Sequence, residues 1–286
     1  MDACIKMSAT GHGDGDGVGM GSAETQGTAP STETARTGAV ALTTCYVPQE
    51  LQTAVDHIMP LIHQYRTERM TCDKELELEV RLGRRNRTTQ RWDSEVSRSF
   101  FVSTMEMLKS YGGWTAPPAT IDMHDFFYVT PAGKRVRTTL EFGTPCKLTH
   151  VCKQPVALRD IKLVDHSCDA RVSLKLEAAI PAEELPDVVS TVLVRVKKRT
   201  SFQLDNWRID MTQVWSGKTR NEAEQNQANG VNSGHCTHEV EVEFCGSRAY
   251  LAAVTDQYIA TSLLLKLCSV LGSGVIYMLP FIAPRS

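Results

Sequence analysis

The sequence predicts an α+β fold: a closed antiparallel β-barrel of about eight strands with a charged lumen, and helices packed on its outside. Three observations predict it. Two acidic runs, 75–83 (ELELEVRLG) and 238–244 (HEVEVEF), alternate carboxylates with aliphatic groups, and successive side chains of a strand point to opposite faces. Between them, runs at 134–141, 169–177, 194–201 and 207–212 keep the same period of two, with mostly cations on the polar face. The third observation is how completely the faces separate. One collects Glu77, Glu79, Arg81, Arg135, Arg137, Arg171, Lys175, Glu177, Arg195, Lys197, Arg199, Arg208, Asp210, Glu239, Glu241 and Glu243, and the other is aliphatic, as at Leu78, Val80, Val136, Val172, Leu174, Val196, Ile209, Val240 and Val242. The wet side of an ordinary antiparallel sheet mixes neutral and charged polar groups. A face of almost only full charges fits the lumen of a closed barrel, which leaves the hydrophobic core outside the barrel, under the helices.

Residues 1–45 are rich in Gly, Thr, Ser and Ala and have almost no large apolar groups, a composition that cannot offset the entropy of ordering, so they read as a disordered tail ahead of one domain at 46–286. The tail's glycines, at every second position from 11 to 21, never give a G-x-G-x-x-G loop after a strand. Residues 48–69 repeat Leu51, Val55, Ile58, Met59 and Ile62 at helical spacing. The first acidic strand follows, and Arg84, Arg85, Arg87 and Arg91 read as a polar turn. A second helix is expected over 94–109, with Val96, Phe100, Phe101, Met105 and Leu108 on its apolar side and Gly112-Gly113 stopping it. Phe126, Phe127 and Tyr128 open the run of strands across a Pro-Ala-Gly turn. Residues 216–236 are polar and read as a mobile loop, and 249–267 as a helix over the outside of the sheet.

With 42% hydrophobic residues in 286, the chain has enough apolar surface for a sizeable core. The net charge of −2 requires any polyanionic partner to be held by local clusters of Lys and Arg. Nine cysteines without a C-x-x-C pair argue for reduced intracellular thiols and against zinc. No apolar signal region stands near the N-terminus, and the apolar stretch 267–284 is broken by Ser269, Gly272, Ser273, Gly274 and Pro280, so it reads as a buried segment and no membrane partner is expected. His150, His166, His235 and His238 lack a second His or Cys at ligand spacing and read as surface or satisfied residues.

Three glutamates along one strand face repel one another, and pairing the two acidic runs adds to that repulsion unless a cation sits between them. Several carboxylate oxygens suit a hard divalent ion, Mg²⁺ or Mn²⁺. A wall of guanidinium and ammonium groups opposite such an ion suits a polyphosphate. Phosphoryl transfer uses these parts: cations on the phosphate oxygens, a metal, and a carboxylate to orient the attacking water.

Five motifs in order carry a resemblance. They are E-x-E-x-R-x-G (Glu77, Glu79, Arg81, Gly83), R-V-S-x-x-x-E (Arg171 to Glu177), K-x-R-x-S (Lys197, Arg199, Ser201), W-R-I-D-x-T (Trp207 to Thr212) and E-V-E-V-E (Glu239 to Glu243). Together, over roughly residues 70–245, they resemble the triphosphate tunnel metalloenzymes, most closely the fungal and protozoal type of RNA 5′-triphosphatase used in mRNA capping. The resemblance implies that Glu77, Glu79 and Glu243 coordinate Mg²⁺ or Mn²⁺, with Glu241 and Asp210 holding waters around it. It implies that Arg137, Lys197 and Arg199 bind the terminal phosphate and that Glu177 positions or deprotonates the attacking water. Lys153 matches a further phosphate-side lysine, and Arg81 stands where the family often has Lys. Glu239 and Arg208 brace the lumen, and Arg171, Lys175 and Arg208 are either substrate contacts or lumen ion pairs. Arg135 and Arg137 both face inward, and either fits the phosphate role.

The implied activity is hydrolysis of the γ-phosphate of 5′-triphosphate RNA to leave a diphosphate end, together with metal-dependent hydrolysis of nucleoside triphosphates. No K-x-D-G motif of a guanylyltransferase is present, so cap addition calls for a separate partner chain. The implied location is intracellular, in the nucleus, or in the cytoplasm for a viral protein. Two alternatives stand beside this reading: the same chemistry on tripolyphosphate or free nucleotides, against which the first helix and the W-R-I-D-x-T run argue, and a non-catalytic module that binds polyphosphate or RNA ends, against which Glu177 argues.

Overall fold

The computed structural model describes residues 49–71, 75–86, 88–130, 133–164, 166–185, 191–232, 234–272 and 278–280. The tail read as disordered, Pro48, Arg87 and residues 273–277 and 281–286, which take in parts of the apolar stretch 267–284, lie outside them. The elements in order are helix α1 (Gln49–Thr71), strands β1 (Glu75–Arg85) and β2 (Trp92–Asp93), and helix α2 (Arg98–Ser110). Strands β3 (Ala116–Val129), β4 (Arg135–Phe142), β5 (Lys147–Leu163) and β6 (Asp169–Ala179) follow, then a 3₁₀ turn at Ala182–Glu184. The chain continues with β7 (Thr191–Leu204), β8 (Trp207–Gly217), helix α3 (Arg220–Ala228), β9 (Cys236–Phe244), helices α4 (Arg248–Ala253) and α5 (Asp256–Val270), and β10 (Met278–Pro280).

The expected barrel is there. Antiparallel pairing runs β1-β6-β5-β4-β3-β7-β8-β9 and returns to β1, so no strand of this circuit has a free edge along its whole length. Closure brings the two acidic runs side by side, with Glu79 opposite Glu243 and Arg81 opposite Glu241. The short strands β2 and β10 add to the ends of β1 and β5.

The core lies outside the barrel, as the patterning requires. Leu78, Val80, Val172, Leu174, Ile209, Met211, Val240 and Val242 point outward and are buried under Leu51, Val55, Ile58, Ile62 and Tyr65 of α1, Phe101 and Leu108 of α2, and Ile259, Leu263, Leu264 and Leu267 of α5. Each such side chain contributes about 1.5–3 kcal/mol by leaving water. A second, smaller cluster of Val194, Val196, Trp215, Ala223 and Cys236 holds α3. Among the described residues no helix is long and apolar enough to cross a membrane.

Four readings change. Helix α2 starts at Arg98 and not at 94, because Ser97 caps it by accepting from the Phe100 amide, while Ser94 donates to Glu239. The stretch 216–236 is not one loop: β8 runs to Gly217 and α3 follows, its Thr219 accepting from the Glu222 amide at 3.2 Å and Glu222 accepting from the Lys218 amide at 2.8 Å. The C-terminal helix is two, since Thr255 accepts from the Tyr258 amide and starts a new helix after Ala253. Arg84 and Arg85 extend β1, and the turn after them is tied by Asn86, which accepts from the amides of Thr88 and Thr89.

Strand β5 escaped the sequence reading altogether. A register shift between Pro155 and Ala157 puts Lys153 and Asp160, of opposite parity, on the same lumen face, opposite Glu177 and Arg171. A bulge of this kind erases the alternation by which a strand is read.

Candidate active site

The lumen is built by alternation. Each barrel strand turns every second side chain inward, and the inward positions of β1, β6, β7, β8 and β9 hold the charged set read from the sequence. Crowded together and partly shielded from solvent, these groups pair. Glu79 is 1% exposed and is held by Lys175, by Ser173 at 3.1 Å and by the Arg81 guanidinium at 2.7 Å. Arg81 also lies 2.9 Å from Glu241. Lys153 lies 2.8 Å from Glu77 and also contacts Glu177, whose carboxylate is 3.7 Å from Arg137. Arg208 spans Glu243 and Asp210, and Asp210 also takes Arg199 at 3.2 Å and the Ser201 hydroxyl at 2.6 Å. Lys197 pairs with Asp125, both nearly excluded from solvent, and Arg195 pairs with Glu239.

These pairings set the titration of the lumen. Burial works against the charge of Glu241, but Arg81 and Arg199 hold its carboxyl well below the usual carboxylate range. Asp125 sits at about 2 because Lys197 and Arg137 outweigh its burial. Lys197 goes the other way: burial pulls it down to about 8 in spite of Asp125. Glu243 is pushed up to about 7, first by burial and then by the neighbouring carboxylates Glu77, Asp210 and Glu241, which Arg208 does not fully offset. The acidic wall is short of positive charge at that point.

That shortage, and the chemistry of the donors, fit a divalent cation. Glu77, Glu79 and Glu243 offer hard oxygen ligands on two paired strands, the donor type that Mg²⁺ and Mn²⁺ take. Among the described residues no three acidic, His or Cys side chains converge as a formed metal cluster, and each of these glutamates is turned toward a cation on a nearby strand, Lys153 of β5, Lys175 of β6 or Arg208 of β8.

A protein-family model described as mRNA capping enzyme, beta chain, matches residues 61–261, well over half of the chain. The chain belongs to that family. These are the RNA triphosphatases of the triphosphate tunnel fold. Among solved structures the chain is similar to the S. pombe Pct1 RNA triphosphatase, with 17% identity and a TM-score of 0.56 over 80% of this chain and 94% of that one. It is similar to the same protein in complex with the Spt5 CTD, with 18% identity and a TM-score of 0.57 over 79% of this chain and 94% of that one. It is also similar to the Mimivirus capping enzyme triphosphatase, with 14% identity and a TM-score of 0.50 over 78% and 98% of the two chains. At these identities the likeness is one of fold. A comparison with curated proteins gives no match.

Within this family fold, the geometry separates the two arginines that the sequence left equivalent. Arg137 lies inside, beside Glu177, whereas Arg135 is exposed at the strand end with its guanidinium 5.4 Å over the Phe127 ring. Arg171 and Arg85 both bind Asp160, and Arg171 stacks 4.5 Å over Trp92. Two lumen carboxylates were missed. Asp160 was hidden by the β5 bulge, while Asp125, opposite Arg195 and paired with Lys197, stands three residues after Asp122, which the alternation turns to the other face. His238 lies on the outer face, its ring 4.7 Å from Phe101. The cysteines described, at 146, 152, 168, 236, 245 and 268, form no disulfide with one another, and Cys4, Cys45 and Cys72 lie outside the described residues.

Proposed function

We propose that this chain hydrolyses the terminal phosphoanhydride of 5′-triphosphate RNA, releasing phosphate and leaving a diphosphate end. One observation carries the reading: inside a closed barrel, each carboxylate suited to a metal is paired with a cation suited to a phosphate, Glu77 with Lys153, Glu79 with Lys175 and Glu243 with Arg208. Such a site can take a cation at the glutamates and a polyphosphate at their partner cations without leaving a buried charge unpaired. Glu77, Glu79 and Glu243 would hold Mg²⁺ or Mn²⁺, with Asp210 and Glu241 supporting that wall, and the ion would offset negative charge on the phosphate oxygens.

Arg137, Lys197, Arg199 and Lys153 bind and orient the terminal phosphate by charge-assisted hydrogen bonds. Glu177, within reach of Arg137 and Lys153, accepts a proton from the attacking water and fixes its approach in line with the leaving diphosphate. Arg81, Arg195 and Glu239 keep the walls charged and spaced, and Arg171 and Arg208 take ion pairs with Asp160, Asp210 and Glu243. The same parts act on nucleoside triphosphates. A separate guanylyltransferase would then cap the product, in the nucleus or, for a viral protein, in the cytoplasm.

Release of labelled γ-phosphate from triphosphate RNA, ATP and tripolyphosphate with Mg²⁺ or Mn²⁺ tests the reading. Loss of release in Glu79→Ala and Glu243→Ala is expected. Undiminished release from RNA in those variants overturns the proposal.

A further inference from the structure

On β3 and β4 the lumen face changes character beyond Arg137. Thr139 and Arg137 are followed by Arg135, and Asp125 by Phe127 and Val129, with Arg137 directly opposite Phe127 and Arg135 opposite Val129. Leu193 of β7 stands opposite Phe127 on the other side. An ionic wall therefore gives way to an aromatic ring with aliphatic neighbours, beside the exposed end of the barrel, where the Thr130 amide donates to the Lys134 carbonyl. Val129 is 45% exposed, and Phe127 and Leu193 are half-buried. The Arg135 guanidinium lies over the Phe127 ring at 5.4 Å. No carboxylate is paired with Arg135 among the described ion pairs, in contrast to Arg137, Arg195, Arg199 and Arg208.

We propose that Phe127 and Arg135 form a stacking platform for the 5′-terminal nucleobase of the substrate, and so determine preference for a nucleotide over inorganic polyphosphate. The inference rests on the reading of Arg137 as a ligand of the terminal phosphate. From Arg137 to Arg135 the strand advances two residues, roughly 7 Å, a span comparable with the two phosphates that join the terminal one to the first ribose. A guanidinium 5.4 Å from an aromatic ring sets two planar surfaces side by side at the rim, and a planar base can stack on either. Stacking tolerates any base, because every base has a π-face. The platform would therefore serve RNA of any 5′ sequence and leave tripolyphosphate, which has no base, without that contact.

The test measures dissociation constants of ATP and of tripolyphosphate by calorimetry, and KM for triphosphate RNA, ATP and tripolyphosphate, in the full chain and in Phe127→Leu, Phe127→Trp and Arg135→Gln. Phe127→Leu is expected to raise Kd and KM for ATP and RNA by about five- to a hundredfold relative to tripolyphosphate, and Phe127→Trp to retain the wild-type ratio. Arg135→Gln is expected to shift the same ratio in the same direction. A loss shared equally by tripolyphosphate would mean that the residues serve the fold or the phosphate, and would overturn the platform. Equal binding of ATP and tripolyphosphate by the unaltered chain would overturn it too. If no substrate is hydrolysed while the binding preference for ATP persists and falls in Phe127→Leu, the platform stands and the hydrolytic reading fails, so the two are distinguished.

Discussion

At the scale of single residues, the lumen is governed by how far burial is offset by a partner. Lys197 is the sharpest case. Burial lowers it to about 8 from the 10.5 of an ordinary lysine, although Asp125 faces it from β3 and Glu239 lies near, with Arg195 and Arg199 adding like charge. Between those two values the unfolded chain holds a proton that the folded one has released, so stability rises with pH across that window. Phosphate affinity is expected to run the opposite way, because in the role proposed for Lys197 the ammonium form is the one that binds. The Kd for tripolyphosphate is expected to weaken as pH rises through about 8, and Lys197→Arg, charged throughout, is expected to remove that inflection. A pH-independent Kd in the unaltered chain would contradict the role given to Lys197. Glu177→Gln is expected to cut kcat for phosphate release by about 10²–10⁴ while Kd for the triphosphate changes little, which calorimetry on the variant checks.

At the scale of elements, two devices hold strands and helices in place and both have local signatures. Gly83 closes the motif on β1 for a backbone reason. A Cβ there would lie 2.9 Å from the Ser94 Cα and 3.0 Å from the Asp93 carbonyl carbon, and closer still to the Asp93 oxygen. Gly83→Ala must push back the β2 segment that leads to Ser94 and Glu239, and is expected to cost about 1–3 kcal/mol, read from the midpoint of denaturant unfolding. Helix α3 depends on its cap more than on its apolar face, with Ala223 its one buried side chain among those described. Thr219→Ala is expected to cost about 1 kcal/mol and to raise amide exchange across Arg220–Ala228 without altering the lumen. The same element shows why part of the chain was illegible. Periodicity finds helices through the faces they bury, and a helix held mainly at its start leaves its trace in the capping Thr219, in Glu222, which accepts from the Lys218 amide, and in the Arg220–Glu224 pair.

At the scale of the whole molecule, the barrel stores its charges as internal pairs that a substrate complex would exchange. A metal on Glu77, Glu79 and Glu243 would free Lys153, Lys175 and Arg208, and a triphosphate on those cations would free the glutamates. Metal and tripolyphosphate are therefore expected to tighten each other's binding, by a coupling of typically 5–150-fold. Measuring Kd for Mn²⁺ with and without tripolyphosphate tests this, and independent binding would contradict it. Mg²⁺ or Mn²⁺ is expected to raise Tm of the unaltered chain, and Glu77→Gln combined with Glu243→Gln to abolish that rise.

The alternation of charge and aliphatic groups was enough by itself to determine that the chain makes a barrel, that its core lies outside, and which side chains of β1, β6, β7, β8 and β9 turn inward, because a period of two assigns faces without reference to any partner. Partners were beyond its reach. Register across β5 and its bulge decided that Asp160 meets Arg171, and barrel closure decided that Glu79 stands opposite Glu243. The position of each strand end decided that Arg137 lies beside Glu177 while Arg135 rests on Phe127 at the rim. Pairing energies in a secluded lumen depend on distances of a few ångströms between groups far apart in the chain, and only the closed sheet sets those distances.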